Sequence, residues 1–211
     1  MSVNVCVLVS GGGTNLQALI DARTRGEMPD VCLKLVVSNV EGAYALTRAE
    51  NAAISAACCV REKGESRSDF EARLLEILKS HDIDMIVLAG FMTILSADFV
   101  SHYPDGIINV HPALIPSFCG KGFYGLRVHV AALEYGVKIT GATVHLVNEI
   151  PDGGKILLQG AVDVLDTDTP ETLQRRVMEQ AEWVLLPRAT QMVARDTAGK
   201  KAGDIGKETI Q

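Results

Sequence analysis

The sequence lacks an excess of basic residues, since 26 aspartates and glutamates outnumber its 20 lysines and arginines and give a net charge of -6. Proteins that bind nucleic acid usually carry a basic face, so a nucleic-acid partner is not expected. The negative overall field would also repel an anionic ligand. Any such ligand must therefore be held by local groups, such as backbone N–H donors.

Membrane segments and targeting signals are also missing. Residues 3–9 form an apolar run that meets glycines too early to span a bilayer, and it has neither a basic flank nor a small-residue cleavage site. The five cysteines are odd in number and lack metal-ligand spacing, which suits a reducing compartment. We predict a cytoplasmic protein with no membrane contact and no bound metal, in which Cys58 and Cys59 are buried packing residues.

The remaining composition is ordinary, with 47% hydrophobic and 22% charged residues in 211, enough for one domain with a substantial core. Six apolar runs are predicted as strands, and helical patterns separate the earlier ones. The predicted strands are residues 3–9, 33–38, 85–89, 107–110, 142–147 and 156–162. This order predicts an α/β fold whose sheet is parallel in its first half and antiparallel in its second, where strands follow without a helix.

Helical periodicity supplies the other layers of this fold. Leu16, Leu19 and Ile20 share one helical face, and a second stripe at 70–78 follows a predicted capping box from Ser68 to Glu71. A third stripe covers 128–135, and Thr169-Pro170 is expected to open a long fourth helix. We predict a single domain over 1–193 and a charged, flexible tail over 194–211.

A glycine-rich turn follows the first strand. Ser10-Gly11-Gly12-Gly13-Thr14-Asn15 leads directly into a helix, so backbone N–H groups and the positive end of a helix dipole converge there. Phosphate is the natural ligand for such a turn, and Thr14 and Asn15 could cap the helix or donate to phosphate oxygens. The spacing fits neither the dinucleotide fingerprint nor the Walker loop, and a tight turn without ligand stays an alternative.

A polar pair ends the fourth predicted strand in Asn109-Val110-His111-Pro112. Strand alternation points Asn109 and His111 to the same side, at the strand end where open α/β sheets place ligands. An amide and an imidazole can together stabilise an oxyanion and supply a proton. Taken alone, the pair is better explained by one core histidine beside a strand-ending proline.

A later loop, Glu149-Ile150-Pro151-Asp152-Gly153-Gly154-Lys155, offers a carboxylate within a turn-forming sequence. If it lay beside His111, Asp152 would favour the imidazolium form and orient the ring. By composition alone, a turn-forming aspartate is the simpler interpretation.

Several motifs in order resemble the folate-dependent formyltransferases, and among them the glycinamide ribonucleotide formyltransferases of purine synthesis. They are 10–17, Leu88-Ala89-Gly90-Phe91-Met92, Asn109-Val110-His111-Pro112 with Leu114-Ile115-Pro116, Gly141-Ala142-Thr143-Val144-His145, and Asp152-Gly153-Gly154. The resemblance extends to about Arg188. It implies a Rossmann-like formyltransferase fold with helices on both faces of the mixed sheet. It also implies formyl transfer from 10-formyltetrahydrofolate, the cosubstrate, to the primary amine of glycinamide ribonucleotide, in a monomer or homodimer.

The resemblance also implies roles for individual residues. Catalysis is assigned to Asn109, His111 and Asp152, with a protonated His111. The ribonucleotide phosphate and amine are assigned to Gly12, Gly13, Thr14, Asn15 and Glu182. The folate pocket is assigned to Arg67, Met92, Thr93, Ile94, Leu95, Asn109 and Ile150.

The sequence departs from the family pattern at three places. Thr93 stands where many relatives have arginine, Trp183 stands where histidine is common, and the stretch 118–125 is longer than in some relatives. His145 fits a structural hydrogen-bonding role at least as well as a catalytic one, and Cys119 is assigned no catalytic role.

Three other functions compete with this interpretation. A formyltetrahydrofolate hydrolase shares the catalytic centre but would be expected to carry an additional amino-terminal domain, and a formyltransferase acting on methionyl-tRNA an additional carboxy-terminal domain. A non-enzymatic nucleotide- or folate-binding module would explain the glycine turn. It would not explain why Asn109, His111 and Asp152 occur together.

Overall fold

The structure is a computed structural model that describes residues 2–208, with side chains described as far as residue 201. Seven strands form one sheet in the order β3-β2-β1-β4-β5-β6-β7. The strands are β1 Val3–Val9, β2 Val31–Ser38, β3 Ser55–Cys58, β4 Met85–Leu88, β5 Ile107–His111, β6 Ile139–Leu146 and β7 Ile156–Asp163. Strands β1 to β5 pair in parallel, whereas β6 is antiparallel to both β5 and β7. The predicted mixed sheet is confirmed.

Several of the strands that were recognised from sequence are buried on both faces. Strands β1 and β4 are almost entirely buried, as a near-continuous apolar run in a parallel sheet requires. The prediction missed β3, an edge strand of sequence Ser-Ala-Ala-Cys that is largely exposed. Such a short and weakly apolar edge strand produces no hydrophobic signal.

Seven α-helices accompany the sheet in the described part of the chain. They are α1 Thr14–Thr24, α2 Tyr44–Asn51, α3 Arg67–Ser80, α4 Ala97–Ser101, α5 Leu126–Tyr135, α6 Pro170–Val177 and α7 Trp183–Glu208. Helices α2 and α4 were not predicted, because α2 buries only Ala45 and Ala49 and α4 has five residues. The predicted capping box was wrong. The N-cap of α3 is Ser66, whose side chain accepts from the Asp69 N–H.

Helices cover both faces of the sheet and enclose two apolar clusters. The larger includes Leu16 and Leu19 of α1 with residues of α6 and α7, and the smaller includes Phe70 of α3 and Phe99 of α4. The prediction for the vicinal cysteines was half wrong. Cys59 is buried, but Cys58 is exposed because it ends the edge strand β3.

The carboxy-terminal helical region is divided by a π-helical turn, Met178–Glu182, which separates α6 from α7. Thr169 and Pro170 begin α6 as predicted, with a full capping box. Helix α7 continues across the predicted boundary at residue 194, where Ala194 is buried, and Lys201 pairs with Asp84. The flexibility of the tail stays a prediction, and its last residues, 209–211, lie outside the described residues.

None of the helices in the described range is both long and apolar enough to cross a lipid bilayer.

Candidate active site

The carboxyl ends of three neighbouring strands are tied together by side-chain hydrogen bonds. The Met92 N–H after β4 donates to Ser10 Oγ after β1 at 2.8 Å, and the Ser10 hydroxyl donates to Asn39 Oδ1 after β2 at 2.6 Å. Asn39 Nδ2 in turn donates to Thr93 Oγ1 at 2.8 Å. The predicted phosphate turn and the predicted folate segment are therefore held in one network, and Thr93 is part of it.

The glycine turn presents its backbone without side-chain capping. The N-cap of α1 is Gly13, in the left-handed region at φ 73°, and no side chain caps the helix. The prediction that Thr14 or Asn15 could cap it was wrong, because the helix already begins at Thr14. In the described part of the chain, the N–H groups of Gly11, Gly12 and Gly13 donate to no protein acceptor. They remain available for an anion.

Asn15 and Glu182 meet below this turn. Asn15 is buried in α1, and its Nδ2 donates to Glu182 Oε2 at 2.7 Å. Glu182 lies in the π-helical turn, a distortion that is frequent at functional sites. Burial raises the pKa of Glu182 to about 7, and the hydrogen bond from Asn15 opposes this rise. The sequence-predicted pair is thus brought together, and its carboxyl titrates near neutral pH.

A cluster of two imidazoles, a carboxylate and an amide lies where β5 and β6 pair. His111 Nδ1 is 3.6 Å from Asp152 Oδ2, and His145 Nε2 is 3.6 Å from Asp152 Oδ1. Asn109 Nδ2 lies 3.2 Å from His145 Nε2. All three residues assigned to catalysis are therefore close together, and His145 joins them.

His111 is 4% exposed, and each of its ring nitrogens faces an oxygen. Nδ1 faces Asp152, and Nε2–H donates to the Phe118 carbonyl at 2.8 Å. Burial lowers the pKa of His111, while the Asp152 carboxylate and the Phe118 carbonyl oppose the change. Two neighbouring oxygens suit an imidazolium, whereas burial favours the neutral ring. The Asp152 carboxylate is the main charge that opposes the effect of burial and favours the protonated form of His111.

Asp152 is held by the backbone as well as by the histidines. The Gly120 N–H donates to Asp152 Oδ2 at 2.8 Å. Burial raises the pKa of Asp152, but His145 at 3.6 Å, the charge of His111 and the Gly120 N–H outweigh it, so the net pKa is lowered. Asp152 itself has φ 56°, an uncommon conformation that aspartate tolerates. The carboxylate is therefore kept ionised beside His111.

The loop that carries Asp152 depends on close backbone approach. A Cβ on Gly154 would overlap the Leu146 carbonyl oxygen at the end of β6. This contact lets the loop fold back tightly against β6 and carry Asp152 to the catalytic cluster. The double glycine recognised in the sequence thus has a steric reason.

His145 orients Asn109. Its Nδ1 faces the carbonyl of Leu146 at 2.8 Å, which can only accept, so Nδ1 carries the proton and Nε2 can accept from Asn109. An amide nitrogen has two N–H groups, and the second is left for another acceptor. The structural role that the sequence allowed for His145 is consistent with this geometry.

The residues assigned to the folate differ in their exposure. Met92, Ile94 and Ile150 are 53%, 56% and 59% exposed, whereas Leu95 is 6% exposed and packs in the smaller apolar cluster. Exposed apolar side chains beside a polar site are typical of a ligand surface. The Leu95 side chain is not part of that surface.

Arg67 is connected to the folate segment through a buried carboxylate. Arg67 Nε donates to Glu71 Oε1 at 3.0 Å, and the Ser96 N–H donates to the same oxygen at 2.8 Å. Arg67 thus lies next to the end of the 92–95 segment, with its side chain 45% exposed.

Some site features had no usable sequence signal. The Phe118 carbonyl and the Gly120 N–H are backbone groups that any residue could supply. Asn39 could have been found as a polar residue directly after a parallel strand. Arg48, in α2, donates to the Gly12 carbonyl and was missed together with its helix.

Among the described residues, no group of three or more His, Cys, Asp or Glu side chains is placed to hold a metal ion.

A third buried histidine lies near the site. His129 of α5 is 1% exposed, and neither ring nitrogen has a hydrogen-bond partner among the described residues. Burial and the nearby charge of His111 lower its pKa to about 4. An unfolded histidine titrates near 6.5. The neutral ring thus contributes stability that is complete above about pH 6.5 and is lost as the pH falls toward 4.

Replacing His129 with leucine should flatten this pH dependence. Between pH 7.5 and pH 5 we expect the variant to lose about 2 kcal/mol less unfolding free energy than the unmodified protein. Urea unfolding at both pH values measures the difference. The same substitution at the exposed His102 is the control and should change nothing. An equal pH dependence in both variants would contradict the assignment.

Comparison with known proteins agrees with this architecture. Residues 3–190 match the formyl transferase family. The chain belongs to that family. It is 38% identical over 183 residues to phosphoribosylglycinamide formyltransferase of Haemophilus influenzae, covering 87% of this chain and 83% of that protein. The family resemblance drawn from the motifs is confirmed.

Other similar proteins are much longer than this chain. The chain is 42% identical over 205 residues to the trifunctional purine biosynthetic protein adenosine-3 of Gallus gallus, covering 97% of this chain but only 20% of that protein. Among solved structures, glycinamide ribonucleotide transformylase 1 of Symbiobacterium toebii superimposes with a TM-score of 0.86 at 38% identity, covering 92% and 89% of the two chains. The formyl transferase fold predicted from sequence is thus confirmed.

Proposed function

We propose that this protein transfers the formyl group of 10-formyltetrahydrofolate to the primary amine of glycinamide ribonucleotide. The observation that carries the proposal is one sheet edge that joins three parts. The glycine turn, whose N–H groups have no acceptor among the described residues, follows β1. The exposed apolar residues Met92 and Ile94 follow β4, and the cluster of Asn109, His111 and Asp152 lies at β5. An anionic substrate, an aromatic cosubstrate and an acyl-transfer centre can meet there.

The ribonucleotide phosphate would bind the N–H groups of the glycine turn. Gly12 and Gly13 let the phosphate approach the backbone, and Thr14 begins the helix whose dipole favours the anion. Glu182, tied to this turn through Asn15, would then face the amine end of the substrate. This arrangement supplies the local binding that a chain of net charge -6 needs for an anionic ligand.

The folate would bind across the apolar surface next to the centre. Met92 and Ile94 come from the segment after β4, and Ile150 comes from the loop that carries Asp152. Arg67, at the start of α3, offers a cation at the end of this surface. Thr93 is engaged with Asn39, so it would hold the segment in place and contribute no charge to the folate.

The reaction begins with attack of the amine lone pair on the formyl carbon, which converts the carbonyl oxygen to an oxyanion. A free N–H of Asn109 and the imidazolium of His111 donate to that oxygen, a kind of interaction worth about 3 kcal/mol per donor in acyl transfer. In the structure the Phe118 carbonyl accepts the Nε2 proton of His111. In the proposed reaction the formyl oxygen replaces it.

Collapse of the intermediate re-forms the carbonyl and breaks its bond to the folate nitrogen. The amine loses one proton, which passes to Asp152, directly or through water, and the departing folate nitrogen gains one proton from His111. Water then takes the proton from Asp152 and returns one to His111 Nε2, since Nδ1, which faces Asp152, still carries its own proton. Both groups are restored, and protons balance over the cycle. The products are formylglycinamide ribonucleotide and tetrahydrofolate. Bringing both substrates to one edge supplies much of the remaining acceleration.

The proposal is tested by incubating the protein with 10-formyltetrahydrofolate in the presence and absence of glycinamide ribonucleotide. Formation of tetrahydrofolate that requires the ribonucleotide is the expected result. Release of formate without the amine would instead identify a hydrolase, and binding without turnover would identify a binding module. Either result would overturn the proposal.

Replacing Asn15 with alanine should weaken ribonucleotide binding more than folate binding. The change removes the hydrogen bond that holds Glu182 and leaves that buried carboxyl without its donor. We expect the KM for glycinamide ribonucleotide to rise about tenfold or more, since hydrogen bonds to charged groups contribute about 1.5–3 kcal/mol. Steady-state kinetics with each substrate varied in turn measures this, and an equal loss for both substrates would contradict it.

The remaining expectations concern the setting of this activity. The five cysteines are free thiols, which supports a reducing compartment such as the cytoplasm. We expect small-molecule substrates as the main partners. A monomer or a homodimer stays a prediction.

A further inference from the structure

We propose that Arg48 is a positioning residue that aims the glycine turn at the ribonucleotide phosphate. This inference rests on the proposed function and deepens it. Arg48 lies in α2, outside every motif recognised in the sequence, and it is half-buried against the back of the turn. It contacts the turn through a carbonyl, so its role concerns the backbone and not the phosphate itself.

Helix α2 holds the turn at two successive carbonyls. Arg48 Nε donates to the Gly12 carbonyl at 2.8 Å, and the Ala45 N–H donates to the Gly11 carbonyl at 3.1 Å. The packing is close, since a Cβ on Gly13 would lie 2.7 Å from the Cβ of Ala45. The turn therefore rests on α2 through both hydrogen bonds and steric contact.

Because the peptide group is planar, these contacts also set the direction of the N–H groups of Gly12 and Gly13. In a planar trans peptide, the N–H of one residue points opposite to the C=O of the residue before it. Fixing the Gly12 carbonyl toward Arg48 fixes the Gly13 N–H away from α2. Fixing the Gly11 carbonyl toward Ala45 does the same for the Gly12 N–H. These N–H groups have no acceptor among the described residues, so α2 holds two donors ready for an anion, and Arg48 holds one of them, the Gly13 N–H.

The guanidinium is itself held in a defined geometry. Arg48 Nη1 donates to Gln17 Oε1 of α1 at 2.9 Å, and the guanidinium carbon lies 4.9 Å from the centre of the Tyr44 ring. A planar guanidinium can make both hydrogen bonds and the stacking contact at once, whereas a lysine ammonium cannot reproduce this fork. Arg48 thus joins α2 to α1 and to the glycine turn that precedes α1.

The test compares Arg48→Gln and Arg48→Lys with Arg23→Gln. A crevice between α1 and α2 is lined by both Arg48 and Arg23. Arg23 is exposed and does not contact the glycine turn, so Arg23→Gln removes the same charge and leaves the turn unchanged. In Arg48→Gln we expect the KM for glycinamide ribonucleotide to rise about tenfold, with the KM for folate and kcat changed less than about twofold. Arg48→Lys should restore only part of the affinity, and Arg23→Gln should behave like the unmodified protein.

Calorimetric titration of each variant with glycinamide ribonucleotide, without folate, provides a second readout. Weaker binding with an unchanged melting temperature supports positioning. Equal rises in both KM values, an effect in Arg23→Gln of the same size, or full rescue by lysine would overturn it. The turnover of the unmodified protein distinguishes the proposed function from the role of Arg48. If it shows no amine-dependent turnover, the proposed function fails, whereas normal turnover in Arg48→Gln refutes only the role of Arg48.

Discussion

Replacing His111 with alanine is expected to lower kcat by about 10³-fold or more while the protein stays folded, because one side chain supplies both an oxyanion donor and the proton for the leaving nitrogen. His111 is buried, lies 3.6 Å from Asp152 Oδ2 and is hydrogen-bonded to the Phe118 carbonyl, so its loss leaves both oxygens without their imidazole partner. Saturating concentrations of both substrates isolate kcat, and circular dichroism checks the fold.

The matched control for this variant is His102→Ala. His102 is exposed at the end of α4, so its loss should leave kcat unchanged. Near-normal turnover in His111→Ala, with the fold intact, would remove His111 from the mechanism and with it the assignment of the centre. A loss of folding would shift the test to His111→Gln, which retains much of the volume but cannot act as an acid.

Replacing Asp152 with asparagine should lower turnover by about 100-fold or more and move the pH dependence of kcat toward lower pH. The Asp152 carboxylate raises the pKa of His111 against the lowering effect of burial. Without that charge the pKa of His111 falls further. As the pH rises, His111 in the variant loses its proton earlier than His111 in the unmodified protein does. The basic limb of the kcat profile therefore shifts to lower pH.

Profiles of kcat against pH for the unmodified protein and for Asp152→Asn measure this shift. Asp166→Asn is the control, because Asp166 is exposed and pairs with Lys138 on the surface. A basic limb that stays in place or moves to higher pH would show that Asp152 does not maintain the charge of His111. A shift in the control would point to a general effect of lost charge.

Local patterns were enough to predict most of the fold. Apolar runs such as 3–9 and 85–89 are buried on both faces, and helical stripes such as Leu16 and Leu19 pack on the sheet. In these elements the buried positions are the apolar positions of the sequence. The misses have the same physical origin. Strand β3 and helix α2 bury few and small side chains, and therefore carry little periodic signal.

The sequence by itself determined where a ligand site was to be expected, because the glycine turn and the Asn-x-His at a strand end are local features whose directions follow from strand and helix geometry. Each feature alone left a simpler interpretation open, and only the order of several motifs together indicated formyl transfer. Only the tertiary structure decided what these groups contact. Antiparallel pairing of β5 with β6 brings Asn109 opposite His145, and the following loop carries Asp152 to His111. It also placed Arg48 behind the turn. Such contacts join residues far apart in the chain, so the compact packing of the sheet edge decides them and no local pattern records them.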